Sequence, residues 1–165
     1  MARTHVDIEL RWGDQDAYAH VNNVAFARFL EEARVRTFEL GSGRERTGME
    51  HHFRIDGPSG LKTLVANQRI EFLRVLEYSE HPVTVELWIG KLGGSSLEIH
   101  YEILDNSVVD GESVDGSQPK RIVVARAITT IVVVDGKTLK PVRLTEEGRA
   151  AILPWQDEPL VLRRG

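Results

Sequence analysis

The 165-residue chain contains no cysteine, so disulfide bonds and thiolate metal ligands are excluded. It also lacks an excess of positive charge: with a net charge of −4, the sequence gives no reason to expect a nucleic-acid partner. Long apolar runs are missing as well, and residues 1–12 alternate in polarity instead of forming the apolar centre of a signal peptide. We therefore expect no membrane partner and a location in the cytoplasm.

The chain does have an ordinary globular composition, 41% hydrophobic and 28% charged, without internal repeats. This length suits one domain with a substantial core. We predict a single domain over residues 1–165, with its core at about 6–153 and a C-terminal tail at 154–165. Residues 105–119 are acidic, rich in Gly and Ser and without periodicity, so they are interpreted as a mobile insertion loop.

A long helix is predicted directly after two asparagines, Asn22 and Asn23. Apolar residues at three- and four-residue spacing indicate one buried stripe, and Gly41 follows as a stop signal. From Asn23 to Leu40 this helix would be roughly 27 Å long. The stripe consists of Phe26, Phe29, Leu30, Ala33, Thr37 and Leu40.

Period-two alternation elsewhere predicts strands, and together with the helix it indicates an α+β fold with a five-stranded antiparallel sheet wrapped around one long central helix. Residues 41–60 are interpreted as a long loop, and a short helix is predicted at 146–153. One helix covers a broad sheet poorly and edge strands invite pairing, so we expect a homodimer or homotetramer. The predicted strands lie near residues 6–12, 64–72, 83–89, 97–103 and 121–134.

The stretch before the helix carries the candidate chemistry. Two carboxylates, Asp14 and Asp16, precede His20 and the helix start. The first turn of a helix has free amide groups and partial positive charge, which suit a carbonyl oxygen that is becoming an anion. A carboxylate base or nucleophile next to such a donor is a minimal site for acyl transfer.

These residues resemble a known family. The pattern D-x-D-x-x-x-H-V-N-N at 14–23, followed by FARFLEEAR, is similar to the signature of hot-dog-fold acyl-CoA thioesterases, in the branch of 4-hydroxybenzoyl-CoA thioesterase. The strand QRIEFLRVLEY, the hairpin LGGSSLEIHYEI and the run ARAITTIVVVD extend the similarity. The resemblance implies hydrolysis of a fatty or aromatic acyl-CoA to the free acid and CoA. It implies no cofactor, because coenzyme A is part of the substrate.

The resemblance also assigns roles to residues. It implies that Asp16 is the catalytic carboxylate and that the amide at the helix start, near Asn23, polarises the thioester carbonyl. Family members commonly have Gly where this chain has Ala19, a substitution that would be strained if the position needs a positive φ. The turn at 93–96 is expected to border the site of a neighbouring subunit. Substrate contacts are expected from His20, Asn22, Phe26, Gly93, Gly94, Ser95 and Ser96.

Several alternatives remain open. Glu31 or Glu32 could act as the base from the helix, although ion pairing with neighbouring arginines is the simpler role. A metal at Asp14, Asp16 and His20 is disfavoured by the adjoining positive helix end, and no metal is expected. An acyl-carrier-protein thioesterase or a non-catalytic acyl-CoA-binding module would share the same fold. CoA phosphates could contact Arg44, Arg46, Lys62 or Arg69.

Overall fold

The computed structural model describes residues 2–54, 57–107 and 121–163, and its framework is an antiparallel sheet of five strands. The strands follow one another in space in the order β1-β3-β4-β5-β2, so β1 and β2 form the two edges. The predicted five-stranded fold is confirmed. The strands are β1 (Thr4–Ile8), β2 (Leu61–Phe72), β3 (Val83–Leu92), β4 (Ser96–Asp105) and β5 (Ile122–Asp135).

The long helix lies where the sequence predicts it. Helix α1 (Asn23–Val35) is α-helical, and the chain continues through one π-helical segment, Arg36–Leu40. The helix ends at Gly41, whose φ of 60° is the left-handed conformation that favours glycine. Its apolar stripe packs on one face of the sheet, with Ala25, Phe26, Phe29, Leu30 and Ala33 buried.

Alternation along β4 separates two faces of the sheet. Leu97, Ile99, Tyr101 and Ile103 belong to the hydrophobic core beneath the helix. His100, at an intervening position, belongs to the opposite face and is nevertheless buried. Alternation alone predicts only the inner face, so something must cover the outer one.

The C-terminal segment provides that cover. Trp88 Nε1 on β3 donates a hydrogen bond to the Glu158 carbonyl oxygen at 2.8 Å, and the Leu160 N–H donates to His100 Nδ1 at 2.9 Å. The Asp157 N–H donates to the Ile89 carbonyl oxygen at 3.0 Å. The residues predicted only as a tail therefore form a strap across the outer face.

Several boundaries differ from the predictions. Strand β1 ends at Ile8 instead of continuing to Trp12, because the side chain of Asp14 accepts the Arg11 N–H and bends the chain into a 3₁₀ turn. Strand β2 begins three residues early, at Leu61. The remaining elements are the 3₁₀ turns Trp12–Asp14 and Leu153–Trp155, helix α2 (Glu50–Phe53) and helix α3 (Glu146–Ile152).

The predicted loop 41–60 is wrong in one respect, since it contains helix α2. This helix forms because Met49 and Phe53 bury their side chains against the core, a tertiary effect that the local sequence does not reveal. Most of the predicted insertion, 105–119, lies outside the described residues. Of its start, Asp105 ends β4 and its side chain accepts the Ser107 N–H at 2.8 Å. Across the described ranges, none of the helices is long and apolar enough to cross a membrane.

Candidate active site

Asp14 fixes the turn that leads into α1. Its carboxylate is 3% exposed and accepts hydrogen bonds from the Arg11 N–H at 2.8 Å and from Arg28 Nη2 at 2.9 Å. Burial by itself would raise the pKa of Asp14, but the hydrogen bonds from Arg11 and the charge of Arg28 outweigh it and hold the pKa below its usual value. The Asp14 carbonyl oxygen also accepts the Asn22 N–H at 2.7 Å. Asp14 thus joins the turn to the helix, and its two arginine partners leave it poorly suited to bind a metal.

Asp16 is held by only one of its two carboxylate oxygens. Oδ1 accepts the backbone N–H groups of Tyr18 at 2.8 Å and His20 at 3.2 Å. The Asp16 N–H in turn donates to the His20 carbonyl oxygen at 2.8 Å, which closes the turn. Oδ2 accepts no hydrogen bond from any described residue. The carboxylate is therefore oriented, with one oxygen left available for a substrate or a water.

The start of α1 likewise leaves one donor available. The Asn22 side chain caps the helix by accepting the Val24 N–H at 3.1 Å, and the Asn22 carbonyl oxygen accepts the Ala25 N–H at 2.9 Å. The intervening amide, the N–H of Asn23, donates to no residue in the described part of the chain. It lies at the positive end of the helix, where a developing oxyanion is stabilised.

Asp16 and Asn23 line the same open pocket, which has a volume of about 470 Å³. His20 and Phe26 line it as well, so four of the residues that the sequence singled out are brought together. Asn22 lies beside the pocket as the helix cap, without lining it.

The opposite wall of the pocket was not predicted. It is formed by residues 72–76, which follow the end of β2. This segment is held in place because the Val21 N–H donates to the Leu76 carbonyl oxygen at 2.8 Å and His20 forms an isolated β-bridge with Glu77. No local pattern reveals a pairing between residues more than fifty positions apart.

The turn Gly93–Ser96 lies elsewhere. Strand β1 pairs Ile8 with Val83 at one end of β3, whereas the turn follows Leu92 at the other end, roughly 30 Å away at 3.3 Å per residue. Within one chain, the pocket that Asp16 lines includes none of the four residues Gly93, Gly94, Ser95 and Ser96. Their predicted contact with substrate requires a second copy of the chain and stays a prediction.

Hydrogen bonds within the same chain hold the turn Gly93–Ser96 in place. The Gly93 N–H donates to the Ser96 carbonyl oxygen at 2.7 Å, and the Gly93 carbonyl oxygen accepts Arg149 Nη2 at 2.7 Å. The Val133 N–H donates to the Ser95 carbonyl oxygen at 2.8 Å.

The helix glutamates do not line the pocket. Glu32 accepts hydrogen bonds from Arg28 Nη1 at 2.9 Å and from Arg36 Nη2, so its carboxylate is occupied by ion pairs along the helix. Glu31 is exposed and lies outside the pocket lining. The structure therefore gives neither residue a position from which to act as the base.

Ala19 adopts a left-handed backbone conformation, which favours glycine over alanine. Its φ is 60°, one of two positive φ angles at non-glycine residues in the described ranges. The Ala19 N–H donates to the Asp16 carbonyl oxygen at 3.1 Å, so the strained residue lies inside the turn that orients the carboxylate. A left-handed conformation costs a residue with a Cβ roughly 1 kcal/mol.

We expect Ala19→Gly to raise the free energy of unfolding by a few tenths to about 1 kcal/mol, because the relief of strain exceeds the added entropy of the unfolded chain. Chemical denaturation measures this change. Ala17→Gly is the matched control, because Ala17 lies in the same turn without a positive φ and should only lose stability. A loss of stability in both variants would contradict the expected strain at Ala19.

A family model described as the thioesterase-like superfamily matches residues 10–152. The chain belongs to this superfamily. The match includes α1, all of strands β2 to β5 and the turn that carries Asp16. Thioester hydrolysis is therefore the general activity of the superfamily to which this chain belongs. Among curated proteins, no sequence matches significantly.

Solved structures agree with the fold. The probable thioesterase YbaW from Escherichia coli is 27% identical, with a TM-score of 0.67 over 93% of this chain and 99% of that one. The protein PA5185 from Pseudomonas aeruginosa is 24% identical, with a TM-score of 0.68 over 94% and 92% of the two chains. A Thermus thermophilus thioesterase complexed with coenzyme A and zinc is 22% identical, with a TM-score of 0.64 over 94% and 96%.

Proposed function

We propose that the protein hydrolyses the thioester of an acyl-CoA, with Asp16 as the catalytic carboxylate. The observation that carries this proposal is the pairing of two unoccupied groups on one pocket, Asp16 Oδ2 and the N–H of Asn23. One is a base or nucleophile and the other is an oxyanion donor, which are the two parts that acyl transfer needs. That a structural relative is complexed with coenzyme A supports a CoA thioester as the substrate.

In this mechanism the thioester carbonyl oxygen accepts the N–H of Asn23 and becomes more electrophilic. Asp16 either removes a proton from an attacking water or attacks the carbonyl carbon itself, forming a mixed anhydride that water then hydrolyses. The carbon–sulfur bond breaks, the thiolate of CoA leaves and takes up a proton, and the free acid remains. A thioester is reactive enough for these two groups to suffice, and coenzyme A enters only as part of the substrate.

The apolar part of the pocket suits the acyl group. Phe26 and Phe72 pack edge to face with ring centroids 5.2 Å apart, and Leu76 lies on the same wall. Phe26 and Leu76 are buried behind the wall, whereas Phe72 and Val75 are 49% and 62% exposed and offer apolar surface to a fatty or an aromatic acyl chain. An aromatic acid would match the 4-hydroxybenzoyl-CoA branch, which we propose as the nearer relationship within the superfamily.

The test is turnover of a panel of aliphatic and aromatic acyl-CoA substrates, followed by release of free thiol. We expect hydrolysis of at least one member at a rate well above the background. Binding of acyl-CoA without thiol release would instead make the protein a binding module. Hydrolysis of acyl-carrier-protein thioesters alone would mean that the carrier is acyl carrier protein and not CoA.

We further propose that the protein acts as a homodimer, or as a homotetramer built from dimers, through strand β2. This strand has twelve residues, and β5 is its only neighbour among the described strands, so its other edge offers backbone groups to a partner strand. Leu64 and Val65 are 44% and 50% exposed on it, which is unusual for apolar residues of a sheet.

We expect Val65→Lys to shift the protein towards monomer, because a charge in the middle of the edge strand would be buried without a partner. Sedimentation at micromolar concentration measures the change. Leu153→Lys is the control, because Leu153 is 50% exposed in a turn that contacts β3, three strands away from β2 in the sheet. A wild-type protein that sediments as a monomer with full activity would contradict the assembly.

A further inference from the structure

Trp12 is displayed to solvent from a rigid turn. Its side chain is 75% exposed, whereas Trp88 is 1% exposed. The ring packs edge to face on Tyr78, with centroids 5.4 Å apart and an interplanar angle of 77°. The 3₁₀ turn beneath it is held by the buried carboxylate of Asp14. An ordered aromatic pair with an open face is a preorganised surface for a flat ring.

This aromatic pair lies near the pocket without lining it. Trp12 precedes Asp16 by four residues, so their Cα atoms are at most about 14 Å apart. Tyr78 follows Leu76, a pocket residue, by two positions. A ligand whose reacting group lies at Asp16 can therefore reach the aromatic pair with its far end.

A cation lines the same pocket as Asp16. Arg74 lines the pocket and is exposed, and its guanidinium contacts no side chain among the described residues. Other arginines near the turn are occupied: Arg11 and Arg28 both bind Asp14. Arg74 is thus the pocket arginine that is available to an anion.

We propose that Trp12 and Tyr78 form a platform for the adenine ring of coenzyme A and that Arg74 binds a phosphate of the same molecule. This inference rests on the proposed function for the reaction at Asp16, but it concerns the recognition of the carrier. Each group suits one part of the molecule: Asp16 the acyl thioester, Arg74 an anion and Trp12 a planar base. Stacking of a base on an aromatic side chain and charge pairing with phosphate are both established modes of nucleotide binding.

The test measures the binding of free coenzyme A and of 4′-phosphopantetheine, which lacks the nucleotide. We expect Trp12→Ala to weaken the binding of coenzyme A by about 10-fold or more and to leave the binding of 4′-phosphopantetheine unchanged. Trp12→Phe should restore most of the loss, because phenylalanine keeps a stacking face. Arg74→Gln should weaken the binding of coenzyme A and reduce the salt dependence of that binding.

A second readout follows from the tryptophan positions. Trp12 is the most exposed of the three tryptophans, since Trp88 is buried and Trp155 is half-buried. We therefore expect coenzyme A to quench part of the tryptophan fluorescence, and Trp12→Phe to remove that quenching. The melting temperature of each variant checks that folding is intact.

Unchanged binding of coenzyme A by Trp12→Ala would overturn the inference, and so would equal losses for both ligands, which would indicate a structural role for the turn. If Trp12→Ala weakened only the binding of acyl-carrier-protein thioesters, the aromatic pair would be a contact surface for that protein instead. If no acyl-CoA is hydrolysed but coenzyme A still binds in a Trp12-dependent way, the proposed function fails and this inference stands.

Discussion

Asp16→Asn is expected to reduce the turnover of an accepted acyl-CoA by on the order of 10²-fold or more, because it removes the base or nucleophile and keeps the shape of the side chain. The asparagine oxygen can still accept the N–H groups of Tyr18 and His20, which hold the turn. The loss should therefore appear in kcat, with the fold intact.

Substrate binding is expected to survive this substitution. Removal of a charge beside the electron-rich carbonyl of the thioester leaves KM unchanged or lowers it, which is the pattern for a group that acts in the transition state. Steady-state kinetics on one substrate separate the two parameters. A rise in KM with an unchanged kcat would instead make Asp16 a binding residue.

Glu32→Gln is the matched control, since it also replaces one carboxylate by an amide. Glu32 is paired with Arg28 and Arg36 and lies outside the pocket lining, so we expect a change of less than about threefold in kcat. A larger loss from Glu32→Gln than from Asp16→Asn would move the chemistry onto the helix. Near-normal turnover of Asp16→Asn would remove the proposed mechanism.

The parts of the site that the sequence predicted are those encoded locally. The cap at Asn22, the helix that follows and the stop at Gly41 each depend on residues within a few positions of one another. The family resemblance left open whether the position of Ala19 needs a positive φ, and the structure shows a φ of 60° there.

The parts that were missed depend on distant pairings. The wall at 72–76 is positioned by hydrogen bonding between Val21 and Leu76, and the strap owes its course to Trp88 and His100. A resemblance identified the turn Gly93–Ser96 as a segment near a substrate, yet it gave no distance. Only the strand register shows that this turn lies at the far end of β3 from Asp16.

The outer face of the sheet also carries a charge cluster, centred on Glu86, that alternation in the sequence does not reveal. Glu86 is 4% exposed and accepts hydrogen bonds from Arg3 at 2.8 Å, from Arg121 at 2.5 Å and from the His5 ring at 3.0 Å. Burial would raise the pKa of this carboxyl, but the hydrogen bonds from His5 and Arg3 and the charge of Arg121 lower it to about 2.

The depressed pKa of Glu86 makes the free energy of unfolding depend on pH in the acid range. Its unfolded value is 4.5, so the difference of about 2.5 units corresponds to roughly 3 kcal/mol at neutral pH. Because the folded pKa lies below the unfolded one, this stability is fully present above pH 4.5. It is lost progressively as the pH falls towards 2.

His5 limits stability on the alkaline side. The pKa of His5 is raised above 6.5, chiefly by its hydrogen bond to Glu86. Burial opposes this rise, and the hydrogen bond and charge of Glu45 add to it. Because the folded pKa lies above the unfolded one, the contribution of His5 is complete below pH 6.5 and is lost as the pH rises through the folded value. The contributions of Glu86 and His5 are both complete between about pH 4.5 and 6.5.

We expect Glu86→Gln to reduce the free energy of unfolding near pH 6 by about 3 kcal/mol, because it leaves Arg3 and His5 without their buried anion. It should also flatten both limbs of the pH profile, since each limb depends on the same carboxylate. Urea denaturation between pH 3 and 8 measures the profile for wild type and variant. Glu31→Gln is the control: Glu31 is exposed and forms no ion pair with the described residues, so it should leave the profile unchanged. A Glu86→Gln profile parallel to the wild-type one would mean that the pH dependence arises elsewhere in the molecule.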